Sequence, residues 1–342
     1  KVQSLKLKLE EKERANQNLT FELTEIKISK TWKLALLFRK ARDVIAPPNS
    51  FREKIAKFIF HWVQGQRTRL IRRKRKDRLN SLLDTESWLK KCKEVNKHEE
   101  EVDIIICVHN ALEDVQKCLA SIITHTQNPY SIILVDDGSN GPTKNFLQEF
   151  TANHSQCTLI RNEDALGYTY AANIGMRASR APFLILLNSD TIVTPKWVDR
   201  LYRAITREDK IGIVGPLSNT ASWQSIPKIS ENGDWASNPL PEGITITEFS
   251  HTLAKYSGCI HPNVPLLNGF CMMIRRGLIN EISLFDEVSF GQGYGEEDDF
   301  NLRAGKAGWK SVISDDTYIY HAQSKSYSNE KRYTLQQKSG EK

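Results

Sequence analysis

Apolar and polar positions change their period along the chain. Over 1–26, Val2, Leu5, Leu9, Lys12, Asn16, Leu19, Leu23 and Ile26 alternate at spacings of three and four, the a/d seam of a short coiled coil in which Asn16 can set register. Over 31–79, Trp32, Leu36, Leu37, Phe51, Ile55, Phe58, Ile59 and Trp62 recur at helical spacing on either side of Pro47-Pro48, predicting amphipathic helices joined by a turn. From about residue 100 the texture changes again. Apolar runs at 102–108, 131–137, 157–161 and 183–188 alternate with helical periodicity at 113–125, 142–153, 168–179 and 195–205. Buried strands alternating with helices predict an α/β domain, its mainly parallel sheet covered on both faces. The pattern divides the chain into a coiled-coil segment (1–30), a helical arm (31–97) and an α/β domain (98–342).

Charge sharpens that division. The 342 residues carry a formal net charge of +7, but residues 1–97 hold 26 basic and 11 acidic residues, and the remainder holds 22 and 30. A basic arm is thus joined to an acidic body. Within the arm, 31–79 has 15 basic and 3 acidic residues among its apolar stripes. A basic amphipathic helix with aromatics reads as an anionic membrane surface binder, each Lys or Arg contributing about 1 kcal/mol near an anionic leaflet. The run RTRLIRRKRK would also suit nucleic-acid phosphates, and docking onto the acidic body is a third reading. Membrane binding is preferred and no nucleic acid is expected, because the basic run continues from strongly apolar faces. No stretch approaches the ~18 apolar residues of a membrane span. The chain opens on Lys1 inside a helical pattern, as a piece of a longer polypeptide would. The six cysteines include no C-x-x-C pair, which argues against a metal knuckle or disulfide framework and suits a reducing compartment.

Ligands of open α/β sheets bind beyond the carboxyl ends of the strands, here CVHN, VDDGS and LLNSD. VDDGS ends a strand with Asp136 and Asp137, which either serve chemistry or cap the following helix. LLNSDT delivers Asn188, Ser189 and Asp190 to a strand end. Oxygen side chains at alternate positions suit one hard cation, Mg2+ or Mn2+; another helix cap before Pro195 is the competing reading. GYGEEDDFNLR (293–303) sets Glu296, Glu297, Asp298 and Asp299 side by side, and Arg303 at i+4 is a helix-stabilising partner for Asp299. A G-x-G-x-x-G turn after the first strand is lacking, which excludes a dinucleotide-binding dehydrogenase.

CVHN, VDDGS, GYTYAANIG, LLNSDT, LLNGFCMMIRR, GYGEEDDFNLR and YIYHAQSKS follow one another in this order. That series resembles the family 2 glycosyltransferases of the GT-A fold over roughly 100–332, and GPLSNTASWQSIP is similar to bacterial members that build cell-surface polysaccharides. SKTWKLALLFRKAR resembles a segment that often precedes such domains. The resemblance implies a GT-A-type mixed, mainly parallel sheet and inverting transfer from a UDP-, dTDP- or GDP-linked sugar to a hydroxyl of a glycan or lipid-linked acceptor. It implies that Val108, His109, Asn110, Asp136, Asp137, Gly167, Asn173, Asn188, Ser189 and Lys325 serve the nucleotide-sugar. Asn188 stands where the first acid of the family's D-x-D motif is usual, leaving Asp190 as the carboxylate ligand of a divalent cation and His321 as its partner. Glu297 aligns with the catalytic base, Glu296 and Asp298 with the acceptor side, and Trp309 is a candidate to stack on an acceptor sugar. A peripheral location at the cytoplasmic face of the plasma membrane follows, with coiled-coil self-association. The alternative is a sugar-nucleotide-binding protein of the same fold with lost or accessory activity.

Overall fold

The computed structural model describes residues 95–127, 129–231, 234–291 and 293–322. The coiled-coil segment, almost all of the basic arm and Lys325 lie outside the described residues. The first half runs β1 (Val102–Val108), α1 (Leu112–His125), β2 (Tyr130–Asp137), α2 (Gly141–Asn153), β3 (Cys157–Asn162), α3 (Tyr168–Ala178), β4 (Phe183–Asn188), β5 (Thr191–Ile192), α4 (Trp197–Thr206) and β6 (Ile211–Leu217). It continues through β7 (Ser230–Glu231), β8 (Asp234–Trp235), α5 (Ile246–Tyr256), β9 (Asn263–Val264), β10 (Cys271–Arg275) and α6 (Arg276–Ile282). The last elements are α7 (Glu287–Phe290), α8 (Glu296–Lys306), β11 (Lys310–Tyr318) and β12 (Tyr320–His321).

The central sheet has the order β3-β2-β1-β4-β10-β6-β11-β9. Parallel pairing joins β1 to β2 and β4, β2 to β3, and β6 to β11. β10 runs antiparallel between β4 and β6. Because β10 reverses direction twice over, β4 and β6 point the same way. The carboxyl ends of β1, β2, β4, β6 and β11 and the amino end of β10 therefore share one edge of the sheet.

Side chains alternate across each strand, so the continuous apolar run of β1 feeds two cores. Ile104, Ile106 and Val108 pack with Val115, Leu119 and Ile122 of α1, Leu147 of α2 and Trp197 and Leu201 of α4. Ile105 joins Val135, with Ala171, Ala172 and Met176 of α3 and Phe300 and Ala304 of α8, on the other face. Gly175 sets the approach of α3: a Cβ there would lie 2.3 Å from the Ile105 Cγ2. Gly138, in the VDDGS turn, has φ +69°, and a Cβ would lie 2.6 Å from the backbone nitrogen of Ala165. Only glycine fits that left-handed, crowded position. Among the described residues, no helix is long and apolar enough to cross a membrane, and the described cysteines are free thiols.

Candidate active site

The first two strand ends form one cross-linked loop pair. Asp136 ends its strand fully buried, takes the Ser139 N–H on Oδ1 at 3.0 Å, and pairs through Oδ2 with Arg161. Asp137 accepts the Asn162 amide at 2.8 Å and the Leu166 N–H at 2.9 Å on Oδ1, and the Gly167 N–H at 2.9 Å on Oδ2. The helix that follows is capped by Asn140, whose side chain accepts the Thr143 N–H, so neither aspartate serves as that cap. His109 donates from Nδ1 to the Asp137 carbonyl at 2.7 Å, and its Nε2 accepts from the Asn110 amide at 3.1 Å. Asn110, at φ 60°, donates its N–H to Ser139 Oγ and accepts the Asn140 N–H on its own side-chain oxygen. Val108 is buried beside Asp136 in the β1–β2 register.

A second cluster forms where β4 ends. Asn188 donates its N–H to the Phe270 carbonyl at 2.9 Å, tying this turn to the loop before β10. Asp190 follows Ser189, and β12 pairs with β5 so that His321 lies opposite Thr191. This pairing sets His321 Nε2 3.3 Å from Asp190 Oδ1. The Nδ1 of His321 donates to the Thr220 carbonyl at 3.2 Å, which leaves Nε2 facing the Asp190 carboxylate. Asn219 holds the His321 backbone in both directions, donating to its carbonyl at 2.9 Å and accepting its N–H at 2.8 Å. Phe270 stacks on the imidazole at 5.3 Å. The competing role for Asp190 as a helix cap fails, because α4 starts at Lys196 with no side-chain cap.

One carboxylate and one imidazole at chelating separation fit a hard divalent cation that keeps most of its shell for water and phosphate oxygens. Among the described residues no group of three or more His, Cys, Asp or Glu side chains is placed to hold a metal ion.

The third cluster is the acidic start of α8. Gly295, at φ 96°, turns the chain into the helix. Glu296 is 4% exposed, and its buried Oε2 has no hydrogen-bond partner. Burial first and Glu297 second push its pKa well up. Glu297 lies partly exposed alongside Gly269, where a Cβ would come within 3.4 Å of its own Cβ and Cγ. Its Oε2 takes the Gly295 N–H at 3.3 Å, and its own and the Gly269 backbone N–H groups also act on the carboxylate. Burial, then the charge of exposed Asp298, raises its pKa. Burial and these carboxylates also raise the pKa of Tyr168, keeping its phenol protonated beside them. Asp299 meets Arg303 at 2.7 Å as the i,i+4 spacing predicts.

Two expected site residues lie elsewhere. Asn173 is fully buried and its amide is spent on the Phe285 backbone and Glu287: it donates to both and accepts the Phe285 N–H at 3.1 Å. It latches α3 to the loop before α7 and has no group left for a donor sugar. Trp309 immediately precedes β11, whose first residue pairs with Ile211, the first of β6. It therefore sits at the opposite edge of the sheet, a helix length of roughly 15 Å from Glu297, with its indole N–H on Glu281 and Lys210 over its ring. Conversely, Arg161, Asn219, Thr220 and Gly269 support the site without having stood out in the sequence.

The Glycosyl transferase family 2 model matches residues 103–283. An N-acetylglucosaminyl-diphospho-decaprenol L-rhamnosyltransferase of Mycobacterium tuberculosis is 28% identical over 233 residues, 60% of this chain and 71% of that protein. An uncharacterized glycosyltransferase of Haemophilus influenzae is 27% identical over 114 residues, and the match spans 33% of this chain and 35% of that relative. Among solved structures, GalNAc-T7 with UDP, GalNAc and Mn2+ superposes with a TM-score of 0.51 at 19% identity, covering 66% of this chain and 44% of that one. The parallel sheet with its inserted antiparallel strand is the GT-A architecture, and the chain belongs to glycosyl transferase family 2.

Proposed function

We propose that the chain is an inverting glycosyltransferase that moves a hexosyl or deoxyhexosyl group from a nucleotide-sugar to a hydroxyl of a glycan or lipid-linked acceptor. The observation that carries this reading is the placement of Glu297 on the same sheet edge as the Asp190–His321 pair, with a partly exposed carboxylate held by backbone N–H groups. In a single displacement the acceptor oxygen forms its bond to the anomeric carbon as the bond to the diphosphate oxygen breaks. The acceptor proton passes to Glu297, and the nucleoside diphosphate departs. A raised pKa makes Glu297 the stronger base once ionised. Asp190 and His321 would hold the divalent cation, which when bound neutralises charge on the departing diphosphate. The loop pair at Val108–Asn110 and Asp136–Asp137 faces the nucleoside end. Asp136 and Asp137 shape that loop through their buried bonds more than they offer free oxygens.

A lipid-linked acceptor in surface-polysaccharide synthesis, reached from the cytoplasmic face, is supported by the basic amphipathic segment 31–79 and by the diphospho-decaprenol acceptor in the name of the mycobacterial relative. Anionic-liposome flotation of the full chain and of a form lacking 27–80 tests it. Loss of binding on deletion is expected; equal binding or none at low salt contradicts it.

Glu297→Gln is expected to lower the transfer kcat about 10²–10⁴-fold while UDP, dTDP or GDP with Mn2+ still raises the melting temperature. Asp190→Ala is expected to abolish the Mn2+-dependent part of that shift. Unchanged turnover in both variants sinks the assignment. Nucleotide binding without turnover in the unmodified chain favours the binding-protein alternative.

A further inference from the structure

Trp223 and Trp235 are 52% and 49% exposed, unusual for indoles, and meet edge to face, 5.2 Å between ring centroids at 72°. Each is mounted on a different part of the catalytic edge. Trp223 sits in the turn after β6, projected by Ser222 in a left-handed conformation of φ 49°. That conformation is costly for a residue with a Cβ. The turn is bonded to the loop before β10 on both sides of the indole: Ser222 Oγ accepts from the Asn268 side chain at 3.4 Å, and Gln224 Oε1 accepts the Asn268 N–H at 2.7 Å. The next residue is Gly269, which packs on Glu297. Trp235 belongs to the β7–β8 hairpin. Buried Asn238 joins that hairpin to the Asn219 carbonyl through its N–H at 3.0 Å and its amide at 2.9 Å, and Asn219 is the residue that holds His321. The indole corner is thus braced by the two residues that flank the proposed transfer point.

We infer that this corner is an acceptor subsite that stacks a pyranose ring of a glycan acceptor and presents its hydroxyl to Glu297. The inference rests on the transfer reading above. The C–H face of a pyranose is electropositive and matches the negative face of an indole. The flanking Lys228–Glu231 pair, 2.6 Å apart with side chains 62% and 45% exposed, supplies charged donors and acceptors for hydroxyls. A prenyl chain would find that rim unfavourable and the apolar surface too short.

Saturation-transfer NMR of the full chain with a panel of methyl pyranosides (gluco, galacto, manno, rhamno and N-acetylglucosamine) tests the subsite, with farnesyl diphosphate as the lipid probe. At least one pyranoside is expected to receive saturation at its ring protons, with affinity falling about tenfold in Trp223→Ala and in Trp235→Ala. Trp223→Phe should recover part of that loss. The thermal shift with UDP, dTDP or GDP plus Mn2+ should be the same in the indole variants as in the unmodified chain, which separates a failed subsite from a failed transferase reading. No pyranoside signal, equal signal in the double indole variant, a response to farnesyl diphosphate alone, or a dimer that dissociates in the indole variants would each overturn the subsite.

Discussion

Two groups of carboxylates stand at the same edge of one sheet and are treated in opposite ways. Asp136 and Asp137 are buried and saturated with donors: an arginine, an asparagine amide and three backbone N–H groups. Glu296 and Glu297 are held by backbone N–H groups alone, and Glu296 keeps a buried oxygen with no partner. A buried charge without donors is costly, so sheet geometry alone does not account for the second pair. The difference teaches that saturated acids here hold backbone in place, while the α8 pair, pushed toward its protonated form by burial, is suited to exchange a proton.

Removing a saturated acid should harm stability most. Asp136→Ala leaves Arg161, with a side chain 17% exposed, only the exposed Glu163 at 3.6 Å as a charge partner, and loss of one member of a buried pair costs about 3–5 kcal/mol. Urea unfolding followed by circular dichroism should show it; a cost within the scatter of surface substitutions would break the contrast. The opposite sign is expected for Glu296→Gln. The folded-state pKa of Glu296 lies above its unfolded value, so the native state binds the extra proton and stability falls as pH rises through that window. The variant should therefore melt higher than the unmodified chain at neutral and alkaline pH, by about 2–4 °C per kcal/mol, with the gain shrinking toward acid. A gain that grew toward acid would contradict the burial account. The smallest effect is reserved for Asp299→Ala, about 0.5 kcal/mol for a part-exposed i,i+4 pair. Arg303→Ala should cost more, because Arg303 also donates to the Ile282 and Leu284 carbonyls at 2.6 and 2.9 Å.

Much of the fold is legible in the order of apolar runs. The strands expected at 102–108 and 183–188 appear with those bounds, and the helices of the first half end within about two residues of expectation. Period-2 and period-3.6 patterns report local burial, and local burial decided these elements. The antiparallel insertion of β10 is not legible in that way, since strand direction depends on partners far along the chain. The same limit governs the site. Asn173 sits in a motif of the family, but its partners lie more than a hundred positions away, and nothing local to GYTYAANIG specifies them. Trp309 follows the acidic helix closely in sequence, yet the helix length carries it to the other edge of the sheet. His321 and Asp190 were paired by family resemblance; their contact depends on two-residue strands too short to leave a pattern. The aromatic corner was invisible because Trp223 and Trp235 gain meaning only from Asn268 and Asn238.

The central claim is that the acidic pair at the start of α8 holds the base, and the pH dependence of the transfer kcat tests it most directly. With Glu297 raised by burial and neighbouring acid, kcat should climb with pH through an apparent pKa above the ordinary glutamate value, which belongs to the coupled pair. In Asp298→Asn, where the neighbouring like charge is gone, that inflection should move to lower pH. A kcat independent of pH across this range, or an inflection that stays in place in Asp298→Asn, would contradict the account.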